Sequence, residues 1–224
     1  MRISYSILNA TSNILNFFEL INITNKPDCN FLVFCNWEGT IISSSNHKFR
    51  NYSDDIPLYF KKIITNPNCL GFYIFTYNND TIIDEIVVLD IPCILNKNNH
   101  LDNIHTNEYF KIGSIITITD KNIKKINIIQ DLINRQYMYI NKSDKYNVYY
   151  IDDSMYSIYD SILYASSNYN YNLNLTYFPT LLDEKTVLNF RNANIDLNYM
   201  ELASVTSTVD LFGLLCEKLS IKNK

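Results

Sequence analysis

Glycine is nearly missing from this chain: four residues in 224. A P-loop and a dinucleotide fingerprint both need clustered glycines, because backbone must approach phosphate without a Cβ in the way. Four isolated glycines build neither. Alanine and arginine are equally scarce, at four each. There is no Gly-x-Ser-x-Gly elbow and no His-Glu-x-x-His helix, so two further common hydrolase designs are excluded. No run of 18 apolar residues occurs, so no membrane-spanning helix is expected. Met1 to Ala10 carries Arg2 and lacks a cleavage site, so no secretory signal is read there.

Clustered basic charge is also lacking. The formal net charge is -4, with 19 Lys and Arg against 23 Asp and Glu. Phosphate-driven binding of nucleic acid needs a basic patch. The one dense group, Lys121, Lys124 and Lys125, reads as a solvated turn. The five cysteines, Cys29, Cys35, Cys69, Cys93 and Cys216, are odd in number and match no disulfide scaffold. A reducing compartment is expected: cytoplasm, nucleus or a viral factory, and not the secreted pathway.

Isoleucine and asparagine are abundant, at 32 each, with 18 Tyr and 12 Phe. Their codons are A/T-rich, which points to an A/T-rich genome such as that of a large DNA virus or a parasite. Many asparagines are then read as codon bias rather than as caps or turns. Hydrophobic residues make up 47% of the chain, enough for a real core.

Periodicity suggests the following elements. Arg2 to Leu8 alternates as a strand. Thr11 or Ser12 caps a helix over Asn13 to Ile21. Asn30 to Cys35 and Thr40 to Ser43 read as a hairpin turning at Asn36-Trp37-Glu38-Gly39. Phe49 to Tyr52 reads as a strand and Ile56 to Ile64 as a short helix or edge segment. Leu70 to Tyr77 and Thr81 to Leu89 read as a second hairpin. Ile112 to Thr119, Asn122 to Ile129, Tyr137 to Asn141 and Asn147 to Ile151 read as strands. A helix follows over Met155 to Ala165, then strands at Leu173 to Phe178, Thr186 to Phe190 and Ile195 to Tyr199. A helical stretch lies within Glu201 to Leu219. The expected class is α+β with mainly antiparallel sheet and few helices. Two similar lobes, 1–92 and 112–224, joined by a connector at 93–111, are one organisation; a single domain over 1–224 is the other.

No catalytic, cofactor-binding or metal-binding residue is assigned, and no cofactor is expected. His100 and His105, in the connector, share no helical face and read as exposed; His47 lies further along from Cys29 and Cys35, with no metal-ligand spacing to them. The cysteines lack metal-ligand spacing, and Cys29 and Cys35 read as small hydrophobes at a strand. Acidic pairs occur at Asp54–Asp55, Asp84–Glu85, Asp152–Asp153 and Asp183–Glu184. Paired carboxylates act as acid and base only where they converge with perturbed pKa values; near turns they read as solvated or capping. Tyr137, Tyr139, Tyr146, Tyr149, Tyr150, Tyr156, Tyr159 and Tyr164 crowd one region, as codon bias and an interface would both produce.

Strand Ile3–Leu8, helix Ser12–Ile21 and the segment Asn30-Phe-Leu-Val-Phe-Cys-Asn-Trp-Glu-Gly-Thr-Ile-Ile-Ser-Ser together resemble the opening of sliding DNA clamps. Checkpoint clamp subunits and the clamp-like late transcription factor of poxviruses are similar at this level. The resemblance covers about a quarter of the chain. It implies a two-lobed fold and a role in viral or nuclear DNA metabolism or transcription. The helices Ser12–Ile21 and Met155–Ala165 carry no basic residue, unlike those lining a clamp's channel, and no functional residue is carried over. The functional expectation is a non-enzymatic protein-interaction subunit with a protein partner, no membrane partner and, on charge, no support for nucleic acid. The alternatives are a viral host-factor antagonist and a nuclease or phosphodiesterase whose site is assembled from scattered residues.

Overall fold

The computed structural model describes residues 2–8, 12–25, 29–43, 48–51, 53–77, 79–94, 103–120, 122–136, 146–164 and 171–178. In chain order the elements are β1 (Arg2–Ile7), α1 (Ile14–Thr24), β2 (Phe31–Asn36), α2 (Ile56–Ile64), β3 (Cys69–Thr76), α3 (Asn79–Val88), β4 (Ile104–His105), β5 (Tyr109–Ile112), β6 (Ile115–Ile118), α4 (Lys125–Gln136), β7 (Tyr146–Asp152), α5 (Met155–Tyr164) and β8 (Tyr171–Tyr177). The strands form one sheet in the order β1-β8-β7-β2-β3-β6-β5-β4. Strands on both sides of residues 93–111 share it.

The sheet overturns the expected class. Along the sheet order, the pairings β1–β8, β8–β7, β7–β2, β2–β3 and β3–β6 are parallel, and among the described strands only β4–β5 and β5–β6 are antiparallel. Among the described residues the protein is therefore a mostly parallel α/β sheet with five helices, not a mainly antiparallel one with few. The reason is visible in β2 and β7. Every residue of both strands is buried. A parallel sheet is covered on both faces, so its strands read as continuous apolar runs rather than as alternation.

Helices cover both faces. On one, Phe17 and Phe18 of α1, Phe60 of α2 and Ile86 of α3 pack with Val33, Cys35, Phe72 and Ile74. On the other, Ile129 and Leu132 of α4 and Ile158 of α5 pack with Phe34, Tyr73, Val148 and Tyr150. Each fully buried aliphatic or aromatic side chain contributes about 1.5–3 kcal/mol. Among the described residues no helix is long and apolar enough to cross a membrane.

Two expected hairpins are absent. Asn36 to Gly39 does not fold Thr40–Ser43 back beside β2; the chain instead leaves β2 through a compact loop toward α2. The segment carrying the clamp resemblance is thus a strand and a loop. Thr81 to Leu89 lies mostly in helix α3, not in a strand: Ile82 and Ile86, four apart, are buried while Ile83 and Val87 are exposed. Asn122 to Ile129 is likewise no strand, because its second half opens α4, where Ile129, Leu132 and Ile133 recur at helical spacing. In both cases a β-branched run suggested strand and a tertiary face decided helix. Ile112 to Thr119 is not one strand but the end of β5, a turn with Gly113 at φ +57, and β6. The strands at Arg2–Leu8, Asn147–Ile151 and Leu173–Phe178 and the helices at Ile56–Ile64 and Met155–Ala165 match observed elements to within a few residues. Helix α1 is capped by Asn13, not by Thr11 or Ser12: its side chain accepts from Leu15 N at 2.9 Å. Tyr137–Asn141, Thr186–Phe190, Ile195–Tyr199 and Glu201–Leu219 lie outside the described residues.

Candidate functional site

Strands β2 and β7 are neighbours, but the chain leaves them in opposite directions. From β2 it steps to β3 on one side, and from β7 to β8 on the other. In an open parallel sheet such a reversal opens a crevice at the carboxyl ends of the strands, where ligands bind. Asn36 ends β2, Asp152 ends β7 and Thr76 ends β3. Lys125 opens α4, the helix that follows β6. Lys125, Asn36 and Asp152, from three separate elements, thus meet at the carboxyl ends of the strands, with Thr76 closing the neighbouring strand, and all four are buried.

Lys125 Nζ donates to Asp152 Oδ2 at 2.7 Å and to Asn36 Oδ1 at 2.8 Å. Asp152 also accepts from Tyr150 Oη and, through Oδ1, from Ser154 N at 2.8 Å. Asn36 Nδ2 donates to Glu38 O at 2.6 Å and to Asp153 Oδ1 at 2.8 Å. Thr40 Oγ1 donates to Asp153 Oδ1 at 3.0 Å and accepts from Asp153 N at 2.9 Å. Across β2, Thr76 Oγ1 donates to Glu38 Oε1. Glu38 Oε2 is buried and has no hydrogen-bond partner among the described residues.

The described part of the loop after β2 packs against Asp153 through Gly39 and Thr40. Trp37, Ile41 and Ile42 are buried in the α1–α3 face, and Trp37 Nε1 donates to Glu85 Oε2 at 2.6 Å. Gly39 takes φ +80, and a Cβ there would lie 2.3 Å from Asp153 Oδ2. Only glycine permits both the positive φ and that approach. Arg50 ties the loop to the end of β8, donating to Gly39 O at 3.0 Å and Phe178 O at 2.7 Å, with its guanidinium 3.6 Å from the Phe178 ring centroid.

Lys125 is bonded to Asp152, and its charge also acts on Asp153. Burial, and then the charge of Asp152, push the Asp153 carboxyl above its ordinary range, against donation from Thr40 and Asn36 and the charge of Lys125. Burial likewise pushes the Tyr150 phenol well up, and adjacent Asp152 adds to it, so Tyr150 donates to Asp152 as a neutral group. Among the described residues no three of His, Cys, Asp and Glu are grouped to hold a metal by themselves. A cation here would need oxygen from a ligand as well, the usual habit of Mg²⁺.

Of the acidic pairs, the structure brings only Asp152–Asp153 into this cluster. Asp54–Asp55 is exposed ahead of α2, and in Asp84–Glu85 the second residue anchors Trp37. Asp183–Glu184, His47, His100, Lys121 and Cys216 lie outside the described residues. His105 is exposed on β4 and stacks with Phe110 at 6.1 Å. Cys35 is wholly buried in the apolar face, where burial pushes its thiol well up; Cys69 is buried and Cys29 and Cys93 half-buried. Lys124 pairs with Asp160 at 3.0 Å, whereas Lys125, read as part of a solvated turn, is buried at the centre of the site. Asn36, Glu38, Thr40 and Thr76 were not singled out by sequence reasoning. The available signal was polar residues closing the fully apolar runs Phe31–Cys35 and Phe72–Phe75, with Asp152 closing a third.

Comparison of the chain with protein-family models, with curated proteins and with solved structures finds no match.

Proposed function

We propose that the crevice between β2 and β7 binds a phosphorylated ligand together with a divalent cation, and holds it without covalent turnover. The observation that carries this reading is the network at the point where the sheet reverses direction: Lys125 bonds Asn36 and Asp152, Asn36 bonds Asp153, Thr40 bonds Asp153, and Thr76 bonds Glu38. Two carboxylate oxygens, Glu38 Oε2 and Asp153 Oδ2, take no hydrogen bond among the described residues and suit a hard cation. Lys125 supplies the positive charge for a phosphoryl oxygen as a point donor. Alone, the three acids repel an anion, so cation and phosphate bind as a pair. Position 36, at the centre, is a carboxamide. It donates and accepts hydrogen bonds but is neither a nucleophile nor a base.

Calorimetric titration with Mg²⁺, inorganic phosphate and both together tests this. The pair is expected to bind more tightly than either alone, Lys125→Met is expected to abolish binding, and p-nitrophenyl phosphate is expected to remain intact. Absence of heat with the pair would remove the reading; release of p-nitrophenol would remove the claim of no turnover.

A second reading, contact with a protein partner, is supported by α3, where Ile83, Val87 and Val88 are exposed together. Replacing all three with serine and measuring self-association by light scattering, and partner capture by crosslinking, tests it. An unchanged pattern in both would discard it.

A further inference from the structure

We infer that the phosphorylated ligand of this crevice is a nucleotide, with its base on Tyr77. The inference rests on the phosphate reading above and adds the chemistry of the group beyond the phosphate. Tyr77 follows Thr76 directly at the end of β3 and is 47% exposed. Its ring centroid lies 5.6 Å from Lys125 Nζ. One side of the crevice is therefore walled by an aromatic face that leans toward the ammonium and is still open to solvent. At that separation a phosphate held by Lys125 lies beside the ring. What reaches the ring is the substituent esterified to that phosphate.

The half-open ring of Tyr77 offers a flat face beside the phosphate position, and a planar base suits it. Base-on-aromatic stacking tolerates every base, because each has a π face. Tyr156, 84% exposed in the first turn of α5 just past Asp152–Asp153, gives the β7 side of the same sheet edge a second exposed ring. Among the described residues the exposed aromatics are Tyr77, Tyr156 and Tyr164. Two of the three thus flank the place where the strands reverse. The crevice at such a reversal in an open parallel sheet is also where mononucleotides are held in other folds of this class.

The test is titration of the full chain, with Mg²⁺ present, by AMP, UMP, ribose 5-phosphate, inorganic phosphate and phosphotyrosine. AMP and UMP are expected to bind roughly ten-fold or more tightly than ribose 5-phosphate. Tyr77→Ala is expected to erase that difference while leaving inorganic phosphate affinity in place, and Tyr77→Phe to preserve it. Equal affinity for AMP and ribose 5-phosphate, with phosphate still bound, overturns this inference alone. Tighter binding of phosphotyrosine than of either nucleotide overturns it in favour of an aryl phosphate. No binding of inorganic phosphate overturns both this inference and the reading beneath it. Thermal melting of Tyr77→Ala without ligand confirms that the variant is folded, and an unchanged AMP preference in a folded Tyr77→Ala also refutes the role.

Discussion

Two regions of the sheet bury polar groups, and they do so in opposite ways. At the β1–β8 edge the buried groups are neutral and paired across the strands. Ser4 Oγ donates to Asn174 Oδ1 at 2.6 Å, Ser6 and Thr176 share a hydroxyl bond of 2.9 Å, and Asn147 links Asn25 and Asn172 at 2.8 and 3.1 Å. At the carboxyl ends of β2 and β7 the groups are charged, acids outnumber the ammonium, and a buried Glu38 oxygen is left without a hydrogen bond. The neutral bonds of the first region tie β1, β7 and β8 to one another and to the end of α1, and read as register-fixing structure. The second is an unfinished network, and an unsatisfied buried carboxylate oxygen is costly unless something else completes it.

The largest test of that contrast is Lys125→Met. It leaves Asp152, at 0% side-chain exposure, without its cation, and should cost about 3–5 kcal/mol in urea unfolding. The double change Lys125→Met with Asp152→Leu should recover most of the loss while binding no phosphate. If the double variant stays as unstable as the single one, the pair holds the fold rather than the site.

Asn36→Asp comes next. It removes both donations from Nδ2 and sets a fourth carboxylate beside Asp153. A loss of about 2–3 kcal/mol is expected in the presence of chelator, largely restored by Mg²⁺. Restoration by Na⁺ at equal ionic strength to the same extent would show plain screening instead of a bound cation.

Gly39→Ala should cost about 1–3 kcal/mol, since alanine at φ +80 is strained and its Cβ meets Asp153. The measurement is the thermal midpoint together with phosphate affinity; a neutral result in both would show that the loop does not depend on this turn.

Asp153→Asn should give a smaller, pH-dependent effect. Folding raises the Asp153 pKa, so between its unfolded and folded values the native state binds the proton and the unfolded state does not. Stability then falls as pH rises through that window and stays lower above it. The asparagine variant escapes this loss. It should be more stable than the parent at neutral pH, equal to it below the ordinary carboxylate range, and no longer stabilised by Mg²⁺ with phosphate. An advantage that is constant with pH would refute the assignment.

The smallest effect belongs to the neutral edge. Ser6→Ala with Thr176→Val removes both partners of one hydroxyl pair and should change stability by less than about 1 kcal/mol. A loss comparable to that of Lys125→Met would erase the distinction between the two regions.

The elements were more legible than their arrangement. Met155–Ala165 was legible as a helix and Asn147–Ile151 as a strand, and both are observed to within a residue or so. Thr81–Leu89 failed because isoleucine and valine fit a strand locally, and only burial of Ile82 and Ile86 against the sheet made it helical. The site was less legible still. Asp152–Asp153 was visible as an acidic pair but read as solvated or capping; Ser154 N does donate to Asp152, and the same carboxylate also anchors Lys125. Asn36 was hidden by its own abundance, one of 32 asparagines.

By itself the sequence determined which segments are apolar enough to be covered on both faces, that no glycine-rich phosphate loop exists, and where polar residues interrupt the apolar runs. Each of those follows from local composition. Tertiary structure alone decided that the strands run parallel and that Lys125 meets Asn36, 89 residues away. Strand direction and long-range convergence depend on which faces the helices cover, a choice made by packing across the whole sheet and carried by no single segment.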